Sequence, residues 1–274
     1  MAQVELSAPK IQAKSVERTF VFKNDQGRRE SLHVLAGFDL DVRKGEFLSI
    51  IGPSGCGKST FLNILAGLDD FDGGEILIDQ EGLKRRSFDR GLVFQNYALM
   101  PWRTVRGNLE MGLEIRKVPR KERREIAKRY LELVGLSRFS NQYPHQLSGG
   151  MKQRVAIARA LTYEPDLLLM DEPFGALDAQ TREILQIELL RIWEADKKTI
   201  LFVTHSLDEA VLMSDRVAVM TARTGRVKAV LEIDLPRPRT EEVRNSAEFL
   251  RARQTAWTLL RDEVGLACQV EGRA

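Results

Sequence analysis

The run Gly52-Pro53-Ser54-Gly55-Cys56-Gly57-Lys58-Ser59, followed by Thr60, ends a glycine-rich stretch in a lysine and two hydroxyls. It meets every fixed position of the pattern G-x-x-x-x-G-K-[ST]. The apolar FLSII before it reads as a strand, and TFLNILAGL after it reads as a helix. Glycines here let the backbone curl until successive N–H groups point at phosphate oxygens. A helix beginning at Lys58 adds its positive end to the same point. Lys58 supplies a charge for the outer phosphates, and the Ser59 hydroxyl is the expected magnesium ligand. The loop therefore predicts a nucleoside triphosphate site. What the triphosphate drives stays open, because a kinase or a GTPase would fit it equally well.

Two further stretches bear on the chemistry. Leu167–Met170 is an apolar run that ends in Asp171 and Glu172. A carboxylate at such a strand tip, beside a phosphate loop, can hold magnesium through water. Its neighbour Glu172 then has a separate task, to orient and deprotonate the attacking water. In Leu147-Ser148-Gly149-Gly150-Met151-Lys152-Gln153-Arg154, Ser148 reads as a helix N-cap. Gly149 and Gly150 leave backbone N–H groups bare at the helix start. This second anion site lies too far along the chain to belong to the first loop's own helix. One answer is that it grips the γ-phosphate of ATP held by another subunit.

Short apolar runs recur at Phe47–Ile51, Ile76–Ile78, Leu92–Phe94, Leu167–Met170, Ile200–Val203 and Val217–Met220. Runs of this length with little alternation predict strands covered on both faces, as in a mostly parallel sheet flanked by helices. Val227–Ile233 alternates more and predicts an edge strand. Between the third and fourth runs the rhythm becomes helical. Pro119 opens PRKERREIAKRYLELVGL, with Ile126, Tyr130, Leu133 and Val134 at helical spacing. A second helix is expected from Ser148 until Pro165 forbids its continuation. The chain thus reads as an α/β core with a helical insertion over about residues 96–165 and a short helical tail near 241–266.

The 274 residues can bury a substantial core, and 43% hydrophobic with 30% charged is a globular composition. A net charge of +3 gives no basic surface that would demand nucleic acid. No run approaches the ~18 consecutive apolar residues of a bilayer span. The N-terminal MAQVELSAPKIQAK lacks the apolar core of a secretory signal. Cys56 and Cys268 lie far apart, which argues against a disulfide framework or a zinc site and suits a reducing cytosol.

Taken in order, these motifs resemble the ATP-binding cassette ATPases, whose LSGGQ-type signature grips ATP on a second copy. Met151 stands where many members have glutamine, a substitution that resembles several importer subfamilies. The resemblance implies a P-loop NTPase core with a mostly parallel sheet, an antiparallel β edge region and an inserted α-helical subdomain. It covers about residues 10–240, with the core in 10–95 and 166–240, the subdomain at about 96–165, and 241–274 as a short C-terminal tail. It also implies roles. Gln95 reaches magnesium and the attacking water. Asp178, in Ala176-Leu177-Asp178, meets the partner's phosphate loop. His205, in THSLDEA, contacts the γ-phosphate. Phe20, in VERTFVF, stacks on adenine; Phe22 is the alternative, because the insertion KNDQGRRESLH disturbs the alignment there.

On this resemblance the cofactors are ATP and Mg2+, and the activity is ATP hydrolysis carried by Lys58, Gln95, Glu172 and His205. Two copies stack head to tail, with each ATP between Lys58 of one and Ser148 of the other. Further partners are membrane-spanning permease subunits and, through them, a periplasmic or extracellular solute-binding protein; nucleic acid is not among them. The expected place is the cytoplasmic face of the cell membrane, held peripherally. Pro101-Trp102 and the LPRPR of Leu235–Arg239 resemble the nitrate, sulfonate and taurine importers, and so predict a small anionic solute. Importers of thiamine precursors look similar. Tyr97, Leu99, Met100 and Trp102 are either core of the helical lobe or a docking patch for a short permease helix.

The basic RKVPRKERREIAKR reads as a solvated helix face, with anionic lipid headgroups as the alternative. The tail is too short for the regulatory β-domain of sugar-type importer ATPases. A soluble cassette acting on DNA or ribosomes would carry long coiled coils, zinc cysteines or a second cassette. A non-catalytic scaffold would not need the full set Lys58, Gln95, Asp171, Glu172 and His205.

Overall fold

The computed structural model describes residues 8–24, 27–84 and 89–271. In chain order the strands and helices begin with β1 Ile11–Lys23, β2 Arg29–Val42, β3 Phe47–Ile51, α1 Lys58–Ala66, β4 Gly73–Ile78, β5 Glu81–Gly82 and β6 Arg90–Val93. There follow α2 Val105–Ile115, α3 Arg120–Leu133, α4 Gly149–Leu161, β7 Leu167–Asp171, α5 Ala179–Asp196 and β8 Thr199–Val203. The last are α6 Leu207–Met213, β9 Arg216–Met220, β10 Val227–Glu232, α7 Glu241–Arg244 and α8 Ala247–Glu271. They pack as two units, Met1–Ser87 with Lys197–Ala274, and Phe88–Asp196.

In the first unit β3 lies between β8 and β9, parallel to both, and β10 runs antiparallel along the outer side of β9. Every residue of β3 and β8 is buried, as continuous apolar runs require. β10 alternates half-buried and exposed, the pattern of an edge strand. A second, antiparallel sheet takes the order β2-β1-β4-β5. Ile76–Ile78 belongs to this sheet and not to the parallel one. Its partner is β1, with Ile11 opposite Ile78 and Ala13 opposite Ile76. Only Ile76 in that run is fully buried. The described residues of the insertion KNDQGRRESLH lengthen β1 and β2, whose ladder extends to Lys23 opposite Arg29.

Helix α1 buries Phe61, Leu62, Ile64 and Leu65. The Phe61 ring lies 4.3 Å from that of Phe38 on β2. Each such side chain contributes about 1.5–3 kcal/mol on burial, so the helix that starts the glycine loop's exit is firmly seated. Gly67, at φ 74°, ends it in the left-handed conformation open to glycine. The tail packs α8 on α6 and β9 through the buried Phe249, Ala256 and Leu260.

In the second unit β6 and β7 pair in parallel, Arg90 with Leu167 through Val93 with Met170. Thr104 caps α2 by accepting the Gly107 N–H at 3.1 Å. On α3 the covered stripe is Ala127, Tyr130 and Leu131 with Val134 beyond, while Ile126 and Leu133 are only half-buried. Helix α4 is buried from Val155 to Leu161. Among the described residues no helix is long and apolar enough to cross a membrane.

Candidate functional site

The first unit carries the phosphate loop. Strand β3 delivers the chain to Gly52, and α1 receives it at Lys58. Gly55 and Gly57 sit at φ 74° and 104°, a region that side-chain-bearing residues rarely enter. Gly57 caps α1 with no side-chain hydrogen bond, and no acidic residue stands in the first turn. The helix therefore keeps its positive end for an external anion. Lys58 is buried, and its Nζ donates to the carbonyls of Gly52 and Pro53, both at 2.8 Å. The ammonium is thus fixed over the loop before any ligand arrives. Cys56 lies 3.7 Å from the same Nζ. Burial pushes its thiol up from the ordinary value and outweighs the opposing pull of Lys58.

His205 follows β8 and is exposed. Thr204 donates its hydroxyl to Glu209 Oε2 at 2.5 Å and accepts the Ser206 N–H at 3.0 Å. Ser206 in turn caps α6 by accepting the Glu209 N–H at 3.3 Å. The histidine is thereby set between a strand end and a capped helix. Sequence reading missed Thr204 and Glu209. The Ser206–Glu209 spacing is a capping-box signature that could have shown them, although the buried Glu209 carboxylate serves Thr204. Phe20 is half-buried on β1, with the Arg18 guanidinium 4.5 Å from its ring centroid. Arg18 is itself held by Asp69 at 2.6 Å and Asp72 at 3.2 Å. Phe22, two residues on, is 47% exposed.

The second unit carries the carboxylates. Asp171 ends β7 and is buried; Glu172 follows at φ 45°. A glutamate in the left-handed region stores strain of about 1–3 kcal/mol, which persists only where the surroundings impose it. Gln95, just past β6, donates its Nε2 to Glu172 Oε2 at 3.1 Å. Two residues far apart in sequence are thus brought together. The contact uses the amide nitrogen of Gln95 and leaves its oxygen for a cation. Within this unit the Gln95 oxygen and the Asp171 carboxylate are both hard oxygen donors of the kind magnesium takes.

Ser148 caps α4 and accepts the Met151 N–H at 3.3 Å. Gly149 and Gly150 form the first helical positions, again with no acidic residue in the first turn. Asp178 starts α5, accepting the Thr181 N–H at 2.9 Å. That hydrogen bond holds its carboxyl below the ordinary value. Tyr97, Leu99 and Met100 are half-buried, whereas Trp102 is 71% exposed and is no part of the core. Two buried polar residues that the sequence did not flag shape this segment. Asn108 accepts the Met100 N–H at 2.8 Å and donates to the carbonyls of Met100, Arg103 and Thr104. Arg159 binds the Tyr97 carbonyl at 3.0 Å and that of Ala98 at 2.5 Å.

The ABC transporter family model matches residues 35–175, more than half of the chain. The chain belongs to the ABC transporter family. It is an ATP-binding, ATP-hydrolysing cassette of that family. An uncharacterized ABC transporter ATP-binding protein of Methanocaldococcus jannaschii is 52% identical over 93% of this chain and 92% of its own length. The aliphatic sulfonates import ATP-binding protein of Bacillus cereus is 46% identical over 82% of this chain and 87% of its own. The nitrate import ATP-binding protein of Synechocystis is 43% identical over 92% of this chain and 95% of its own. Among solved structures, a dimeric ATP-binding cassette in a post-hydrolysis state, bound to ADP and Pi, matches with a TM-score of 0.73. It is 36% identical and covers 81% of this ABC cassette and 98% of its own chain.

Proposed function

We propose that this cassette energises import of a small anionic solute, of the nitrate or sulfonate kind, through separate membrane-spanning permease subunits. The observation that carries the reading is likeness at nearly full length, 92% of the chain, to a nitrate import ATP-binding protein. The sulfonate import relative points the same way. Two copies act together, as in the dimeric cassette structure, and sit peripherally on the cytoplasmic face. The exposed Trp102, on a turn braced by Asn108, is the surface offered to the permease. A solute-binding protein delivers the anion to the permease on the far side.

The residues divide the chemistry. Lys58 and the loop N–H groups bind the β- and γ-phosphates of ATP, and Phe20 stacks on adenine, with Phe22 the alternative. Ser59, Asp171 and the Gln95 oxygen would hold Mg2+, which would supply charge neutralisation to the phosphates. Glu172 takes a proton from the attacking water, oriented by the Gln95 amide that reaches its carboxylate. His205 donates to the γ-phosphate. On the second copy, Ser148, Gly149 and Gly150 grip the same γ-phosphate, and Asp178 steadies the facing loop. Loss of that phosphate removes the grip, so hydrolysis releases the dimer.

Two measurements test this. Glu172→Gln should cut phosphate release by about 10²–10⁴-fold while an ATP-bound dimer accumulates in size-exclusion chromatography; wild-type turnover in that variant would refute the assignment. In vesicles holding the cassette with its permease, and with the solute-binding protein supplied on the far side, nitrate or an alkanesulfonate should be taken up only with ATP on the cassette's side. Uptake of neither anion overturns the solute class.

A further inference from the structure

The turn between β9 and β10 touches the phosphate loop from behind. Gly225 donates its N–H to the Val34 carbonyl at 2.8 Å and bridges to Leu35 in parallel. A Cβ added to Gly225 would lie 2.2 Å from the Cys56 carbonyl oxygen and 2.8 Å from that of Val34. Backbone therefore meets backbone there, with no room for a side chain. Gly57 is closed in by the same part of β2, since a Cβ on it would lie 2.8 Å from Leu35 Cδ2 and 3.0 Å from Val34 Cγ1. Strand and turn between them set where Cys56 and Gly57 sit.

The turn is held in its own right. The Thr221 hydroxyl donates to the carbonyls of Arg223 and Thr224, at 3.2 Å and 3.3 Å, and accepts the Arg226 N–H at 3.2 Å. From outside, the buried Glu263 of α8 accepts the Ala222 N–H at 3.0 Å and pairs with Lys228 at 2.8 Å. Lys228 also donates to the Leu259 carbonyl at 3.0 Å. Ten residues before Glu263 on the same helix, Arg253 meets Asp208 in the first turn of α6 at 2.7 Å. Glu263 therefore stands on a helix anchored at two points, not on a loose tail.

The geometry points to a positioning chain, Glu263 to Ala222 to Gly225 to the Cys56 carbonyl, by which the C-terminal helix holds the phosphate loop in its nucleotide-binding shape. This rests on the reading of Gly52–Thr60 as the ATP phosphate cradle. Converging N–H groups bind well only when fixed in advance, because ordering a loose loop during binding subtracts from affinity. Losing the Glu263 acceptor leaves the Ala222 N–H without its partner and frees the turn that backs the loop.

The experiment titrates the purified full-length chain with a fluorescent ATP analogue and follows phosphate release at several ATP concentrations. Glu263→Ala should bind about tenfold more weakly, with KM raised to match and kcat within about twofold, the scale of one lost buried hydrogen bond. Glu263→Gln, which keeps an oxygen for the Ala222 N–H, should recover most of the affinity. Gly225→Ala should be worse than either; if it fails to fold, the Glu263 pair decides. Folded Glu263→Ala with wild-type affinity and KM overturns the inference, even if its Tm falls. Equal loss in Ala and Gln variants overturns it too. A wild-type chain that binds no nucleotide would instead sink the cradle reading beneath it.

Discussion

Two helix starts carry the proposed phosphate contacts, and they are built differently. At α1 the cap is Gly57 at φ 104°, with no side chain on the helix N–H groups and the buried Lys58 folded over the loop. At α4 the cap is Ser148 in extended conformation, its hydroxyl occupied by the Met151 N–H, and both it and Gly149 are exposed. The first is a complete cradle inside one unit. The second has the helix dipole and bare glycines, and the buried cation of its helix, Arg159, is given to the carbonyls of Tyr97 and Ala98. A helix dipole contributes only about 0.3–1 kcal/mol at an exposed position. On the proposed reading, the difference lets α1 hold phosphate unaided, whereas α4 serves phosphate presented to it by another chain.

That contrast can be broken in several ways. Lys58→Ala should weaken ATP binding about hundredfold or more, because charge-assisted contacts to phosphate are the strongest here. Ser148→Arg should leave nucleotide affinity of the separated chain unchanged yet abolish the ATP-dependent dimer and phosphate release. Equal affinity losses in the two variants, by the same nucleotide titration, would erase the distinction. Gln95→Ala should lower kcat about tenfold with magnesium-free ATP affinity unchanged, since it removes one hydrogen bond from Glu172 and one proposed magnesium ligand but no contact of the cradle itself. Single-turnover kinetics would show it.

Smaller effects sharpen the capping side of the comparison. Ser148→Ala removes a cap of about 1 kcal/mol and should lower Tm by about 2–4 °C in calorimetry. The α5 cap, Asp178, titrates where Ser148 does not. The Thr181 N–H holds its folded pKa below the ordinary 3.8. Its contribution is therefore full above that ordinary value and lost as pH falls through the depressed one. Asp178→Asn should flatten this acid limb in pH-dependent denaturant unfolding, and Ser148→Ala should leave it unchanged.

Much of the site was legible because its residues act locally. A glycine-rich loop between strand and helix, and a serine before two glycines, declare themselves through backbone geometry over a few positions. The Gln95–Glu172 contact joins residues 77 positions apart, so no spacing revealed it. Nor did the pattern show that Ile76–Ile78 faces an antiparallel sheet, because a short apolar run looks alike in either setting. The polar braces Asn108, Arg159 and Glu209 were hidden for a related reason. Sequence marks them as polar, and only packing makes them buried.

The proposed phosphate cradle is written in local sequence, since glycine φ, lysine charge and helix polarity need no distant partner. Tertiary structure alone decided what stiffens that chemistry. It laid Gly225 against the Cys56 carbonyl and brought Glu263 from the tail to the Ala222 N–H. Such contacts depend on which backbones meet once strands pair and helices pack, and no short pattern carries that information.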